Sequence, residues 1–258
     1  MEQIKKIQSF SIKRILLLMQ KTAYENAKFT LIGMTTIFGF FSVILLLNAL
    51  NGGGAWEQMN NFYTAGFIIS GIFITGMAFT NFRSKEKTMT YLMLPASSLE
   101  KLISELLMTT VIFAIAYTVI FYIFNFIVYL LGSMYNIPTE IISLTDINIL
   151  NGFMYYVIFQ SIFLAGSATF KKVPLFYTSF SLFVAGIAIL IFTVIITTSL
   201  KGEFENLTVN NFSINSNTFP EMDIENHYLV QIPKYMFYYL TAPLFWLVTY
   251  FKLKEKEA

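Results

Sequence analysis

Residues 106–131 read LLMTTVIFAIAYTVIFYIFNFIVYLL, an uninterrupted run without a single Asp, Glu, Lys or Arg. The hydrocarbon core of a bilayer is about 30 Å thick and takes roughly 20 apolar residues of helix to cross. In lipid, peptide groups must be satisfied within the chain, so a run of this length is predicted to be a transmembrane helix and not a strand. Five further runs read the same way: Phe29–Leu50, Asn61–Thr80, Ile149–Phe170, Leu175–Leu200 and Ile232–Phe251, with Lys234 the one charge, near an edge. Bulk composition agrees. Of the 258 residues 56% are hydrophobic and 12% charged, about half the charge of a soluble domain. The fold expected is an all-α integral membrane protein: six transmembrane helices over 29–251, preceded by an interfacial amphipathic helix at 1–28.

Cytoplasmic segments collect Lys and Arg because these residues resist translocation. Lys5, Lys6, Lys13, Arg14, Lys21 and Lys28 precede the first run; Arg83, Lys85, Lys87 and Lys101 lie within 81–105. Lys171 and Lys172 occupy the link after the fourth run, and Lys252, Lys254 and Lys256 the tail at 252–258. The alternate segments keep only Lys201 and Lys234, against eight acids that include Glu140, Glu203 and Asp223. A split of fifteen to two among 17 basic residues predicts that both termini and 81–105 are cytoplasmic, in a plasma (cell inner) membrane. The largest outer loop is then 201–231, which holds Pro220, the only histidine, His227, and glycosylation-like triplets at Asn206 and Asn211 that read as chance matches. Met1 leads into a polar basic stretch, so no cleaved leader is expected.

Two cytoplasmic features carry internal detail. On a helical wheel Ile4, Ile7, Ile12, Ile15, Leu18 and Met19 oppose Lys5, Lys6, Ser9, Lys13, Gln20 and Lys21, the pattern of a basic helix lying in the headgroup region. In 81–105, Ser84 is predicted to cap a short helix over Lys85–Met93, with Met89, Leu92 and Met93 on one face. Pro95 ends that helix, and Ser97 with Glu100 forms a capping-box signal for the next. Methionine adapts to varied contact surfaces. The face therefore reads either as a docking surface for a cytoplasmic partner or as an apolar patch resting on lipid.

YLMLPASSLEKLISELLMTTVIF, residues 91–113, resembles the segment between the second and third spans of ABC-2 type transporter permeases. The layout of amphipathic helix, six spans and cytoplasmic termini resembles that family over nearly the whole chain. The resemblance implies that the 84–95 helix couples the membrane domain to a separate P-loop ATPase subunit, with ATP and Mg on that partner. By helix geometry and resemblance together, Met89, Leu92 and Met93 would supply the apolar contact, Arg83, Lys85, Glu86 and Lys87 its register, and Pro95 its end. It also implies a second copy, or a paralogous permease, across the translocation path. Re-entrant helices are common in the family between spans five and six, but 201–231 is unusually polar for them.

No chemistry of the chain's own is expected. There is no G-x-x-x-x-G-K-[ST] loop, and NGGGAW at 51–56 lacks the lysine. With no cysteine and one histidine, thiolate, disulfide and H-E-x-x-H chemistry are out of reach, and no metal or nucleic-acid partner is expected. The runs lack the intramembrane ionisable groups that ion-coupled carriers need. Asn48, Asn125 and Gln160 are the polar candidates for a substrate path, though each can be satisfied by an interhelical hydrogen bond. Gly66, Ser70, Gly71, Thr75 and Gly76 suit close helix packing, and the Phe113, Tyr117, Phe121, Asn125 stripe reads as packing. The expected function is the permease subunit of an ATP-driven exporter, with an amphipathic cargo. A non-transporting sensor or assembly anchor is the alternative.

Overall fold

The computed structural model describes residues 10–50, 59–134, 147–205 and 228–257, and among them every regular element is a helix. In chain order these are α1 (Ile12–Leu50), α2 (Met59–Gly76), a 3-10 turn (Thr80–Arg83), α3 (Lys85–Leu92) and α4 (Ser98–Leu106). A π-helical stretch (Leu107–Ile112) then leads into α5 (Phe113–Met134), followed by α6 (Ile147–Thr169), α7 (Pro174–Glu205) and α8 (Tyr228–Glu257). The expectations at 51–56, Asn206, Asn211, Pro220 and His227 lie outside the described residues, as do Ile4, Lys5, Lys6, Ile7 and Ser9.

Among the described residues, three helices are long and apolar enough to cross a membrane: Ser98–Met134, Ile149–Thr169 and Pro174–Ile195. α1 adds a fourth if its two arms, Ile12–Lys28 and Thr30–Leu45, count as one span across their 50° bend. That bend falls where the sequence separates the amphipathic helix from the first run. The other two predicted spans are helical but fall short by this measure. α2 stops at Gly76, leaving an apolar stretch of only Asn61–Gly76, because the chain turns there through Met77 N–H to Ile74 C=O (3.1 Å) and Ala78 N–H to Thr75 C=O (3.0 Å). In α8, Tyr238, Tyr239, Trp246, Thr249 and Tyr250 put polar tips into an otherwise apolar run.

A second sign of a lipid environment is where the polar atoms go. Hydroxyls of Thr35, Thr36, Ser42, Thr118, Thr169, Ser181 and Thr193 each donate to the carbonyl four residues back, satisfying themselves inside their own helix. α7 carries the converse pattern. Phe176, Phe180, Phe183, Leu190, Phe192 and Ile195 all stand exposed, far more contiguous apolar surface than a protein presents to water.

α6 is the central helix, packed on α2, α8 and α7. Close approaches use glycine: a Cβ on Gly152 of α6 would sit 2.6 Å from Thr64 Cγ2 of α2. Gly71 lies directly beneath the Tyr156 ring, and Gly66 against Tyr117 and Phe41, so the small residues of the second run pack as its spacing predicts. Around them is an aromatic core in which Phe67 meets Tyr156 at 4.7 Å, Phe113 at 5.3 Å and Tyr117 at 5.4 Å between ring centroids. Such pairs add about 0.5–1.5 kcal/mol each beyond area burial. The predicted stripe Phe113, Tyr117, Phe121, Asn125 is buried in full.

Candidate functional site

The site is built at one end of the bundle, from segments far apart in sequence. Its first part is α3. Ser84 has an extended backbone (φ −121°, ψ 146°) and its hydroxyl accepts from Lys87 N–H at 3.3 Å, while Glu86 sits in the positive first turn, where an acid is favoured. The helix closes at Met93, two residues before Pro95. α4 starts on the reciprocal capping box: Glu100 N–H donates to Ser97 Oγ at 3.3 Å and Ser97 N–H to Glu100 Oε2 at 2.9 Å. Both starts agree with the sequence reading.

Glu100 does more than cap. Its side chain is fully buried, and Oε1 accepts from Ser11 N–H (2.7 Å), Arg14 Nε (3.2 Å) and Arg14 Nη2 (2.9 Å). Arg14 Nη1 also reaches the Pro95 carbonyl at 3.4 Å. One carboxylate thus ties the start of α1 to the α3–α4 junction. The neighbouring Lys101, 1% exposed, pairs with Glu257 at 2.8 Å, and Ser98 Oγ donates to the other Glu257 oxygen. Consecutive residues on a helix point about 100° apart, so Glu100 holds the N-terminal arm while Lys101 holds the C-terminal tail.

α3 is locked onto this hub through Tyr91. Its ring is buried between Lys21 Nζ (5.3 Å to the centroid) and Lys101 Nζ (5.1 Å), edge-on to Phe82 at 5.2 Å. Burial, reinforced by the Glu105, Glu257 and Glu25 carboxylates, pushes the Tyr91 hydroxyl well above its ordinary range, so it stays a neutral phenol. Lys256 Nζ lies 4.0 Å over the Phe82 ring and donates to the Ala168 carbonyl at 2.5 Å. Burial, with Lys171 and Lys252 nearby, lowers this amine to about 8.

The predicted coupling residues divide into two sets. Arg83, Lys85, Glu86, Lys87 and Pro95 are exposed. Met89 and Met93 are 61% and 82% exposed, but Leu92 turns inward against the buried cluster of Phe82, Tyr91 and Leu102. The exposed apolar face is therefore the two methionines, with Leu92 anchoring the helix from beneath. Between α1 and α3 runs an open polar groove of about 760 Å³, edged by Lys21, Glu25, Arg83, Glu86, Lys87 and Thr90.

The polar candidates for a substrate path are placed differently. Gln160 is fully buried, donating to Thr109 Oγ1 at 2.8 Å and accepting from Trp246 Nε1 at 3.3 Å. Thr109 Oγ1 in turn donates to the Glu105 carbonyl at 2.7 Å, and Tyr156 Oη donates to the Thr109 carbonyl. The chain of bonds stitches α6 and α8 to the π-helical stretch, whose widened turn has carbonyls to offer. Asn125 is buried within α5, and the Asn48 side chain lies outside the described residues.

In the sequence Arg14 stands out only as a positive charge, Glu100 as a cap, and Tyr91 and Lys101 as parts of the 91–113 motif, while nothing marks Glu105 or Glu257. Arg14 and Glu100 are 86 positions apart, so no local pattern links them. The available signal was two adjacent opposite charges followed by Glu105 in a helix leading into twenty-odd apolar residues, where charge without a partner is costly.

The fold defines the class: an all-helical chain with several helices fit to cross a membrane. No family model matches it, and searches of curated proteins and of solved structures return no match.

Proposed function

We propose that the chain is the membrane-spanning permease subunit of an ATP-driven exporter of the ABC-2 type. It takes a P-loop ATPase subunit on α3 and forms the translocation path in a lipid bilayer with a second copy or a paralogous permease. ATP and Mg belong to the ATPase subunit. The observation that carries this reading is the mounting of α3. A short capped helix offers Met89 and Met93 outward while Tyr91 and Leu92 fix it to α4, and α4 runs through the π-helical stretch into α5. A push on α3 is thereby delivered to an apolar helix and not absorbed by a loose loop. A lever biases two states only by differential contact energy between them, and the Tyr91 and Glu100 contacts are the ones a displacement of α3 would rearrange.

Three of the four segments rich in Lys and Arg also meet here, through the Arg14–Glu100 and Lys101–Glu257 contacts, and Lys256 reaches the Ala168 carbonyl just before the fourth. That convergence supports placing 81–105 and both terminal arms on one side of the bilayer, the cytoplasmic one. The test is affinity isolation of the tagged chain from its native membrane. A P-loop ATPase should accompany the wild type, and Met89→Asp with Met93→Asp should lose it while the chain stays folded. Equal recovery of the ATPase by both would sink the docking assignment.

A further inference from the structure

A second cavity lies where α1 bends. It has a volume of about 340 Å³, within the roughly 300–1,000 Å³ of small-molecule sites, and two facing helices grade it from polar to apolar. On α1, Thr22, Asn26 and Thr30 follow one another at four-residue spacing and give way to Met34. On the opposite wall Glu105 and Thr109 give way to Phe113, Ala116 and Ile120. From Glu105 to Ile120 is 15 residues, about 22 Å of helix.

At the polar end sits an acid without a full complement of partners. Glu105 is 2% exposed; Thr22 Oγ1 donates to its Oε1 at 3.1 Å, and its Oε2 makes no hydrogen bond. The basic groups around it are engaged elsewhere. Lys21 pairs with Glu25 at 3.7 Å and lies over Tyr91, and Lys101 pairs with Glu257. A buried, half-satisfied carboxyl at the head of an apolar cleft calls for a ligand that brings donors and positive charge.

We propose that this cleft binds an amphipathic amine, its ammonium against Glu105 Oε2 and its hydrocarbon body running along α5 towards Ile120. Such a molecule can come from the bilayer, as an aminophospholipid, or from outside it, as a free alkylamine-like compound. The assignment does not depend on ATPase coupling and stands or falls separately from it.

The test uses the full chain in phosphatidylcholine nanodiscs, titrated calorimetrically with octylammonium and with octanol against empty discs. Octylammonium should bind at least about tenfold tighter than octanol, the worth of one charge-assisted hydrogen bond. Glu105→Gln should bring octylammonium down to the octanol level, and Ala116→Phe, which fills the apolar end, should abolish both. Octanol binding retained by Glu105→Gln shows that the variant is folded. Should that variant not fold, the probe preference of the wild type and its loss in Ala116→Phe decide. Equal affinities in the wild type, or no change in either variant, overturn the proposal. Discs containing phosphatidylethanolamine identify the source. Competition with octylammonium, together with lipid retained by the wild type and lost in Glu105→Gln, assigns the amine to the bilayer; octylammonium binding without competition assigns it to a free compound. Either result upholds the site.

Discussion

Replacing Glu100 by Ala should detach the N-terminal arm from the α3–α4 junction, and the size of the effect can be worked from its contacts. The substitution leaves the Ser11 and Ser97 N–H groups without their acceptor. Both lie in half-buried surroundings where water can enter, so each loss is worth about 1 kcal/mol. It also removes the partner of Arg14. Breaking a fully buried pair costs about 3–5 kcal/mol, but the Arg14 side chain is 22% exposed and can be rehydrated, which holds this part to about 1–2 kcal/mol. The total is about 3–4 kcal/mol. Arg14→Ala alone should cost about 2 kcal/mol, since Glu100 keeps its two backbone donors. Because the two residues share one interaction, the double variant should cost less than the sum, with a coupling of about 1–2 kcal/mol. Equilibrium unfolding in mixed micelles measures all four corners of the cycle. Hydrogen exchange over residues 11–20 should quicken in both single variants while α5 and α6 stay protected. Strict additivity, or a Glu100→Ala loss under about 0.5 kcal/mol, would refute the clasp.

The remaining predictions test packing, protonation and orientation. Gly71→Ala drives a methyl into the Tyr156 ring and should destabilise by about 2 kcal/mol, whereas Gly33→Ala, with nothing within 4 Å, should stabilise by about 0.5–1 kcal/mol; thermal unfolding of the pair checks both. Lys256, lowered to about 8, should be acylated with a midpoint near that pH, well below exposed lysines at about 10.4, as read by mass spectrometry of labelled protein. Since the folded amine holds its proton less tightly than the unfolded one, its contribution to stability should rise as pH climbs from about 8 towards 10.4 and be absent below that window; Lys256→Gln should flatten the rise. The chain has no native cysteine, so single cysteines at Lys85 and Asn215 can be probed with an impermeant thiol reagent on intact cells. Labelling is expected at Asn215 only, and labelling at Lys85 only would invert the orientation.

What the sequence made legible was whatever is written locally. Ser84, Pro95 and the Ser97/Glu100 box set the ends of α3 and α4 because capping acts within four residues. The bend near Lys28–Thr30 coincides with the change from an amphipathic to a uniformly apolar pattern. What stayed hidden depends on tertiary proximity. Nothing near Glu100 announces Arg14, and nothing near Lys101 announces Glu257. Leu92 shares a helical face with Met89 and Met93 at the level of spacing. Its side chain nonetheless packs against the Phe82/Tyr91 cluster, because helical spacing alone does not say which edge of a stripe meets the neighbouring residues. The π-helical turn at Leu107–Ile112 was invisible as well, since its register is fixed from outside by Tyr156 and Gln160.

The proposed role of α3 as the coupling surface is tested most directly by a photo-crosslinking residue at Met89 in native membranes. An adduct with a P-loop ATPase whose yield changes when ATP is bound is expected from Met89, and no such adduct from the buried position Leu102. An ATPase that co-purifies with the chain but crosslinks equally from both positions, or from neither, would contradict it.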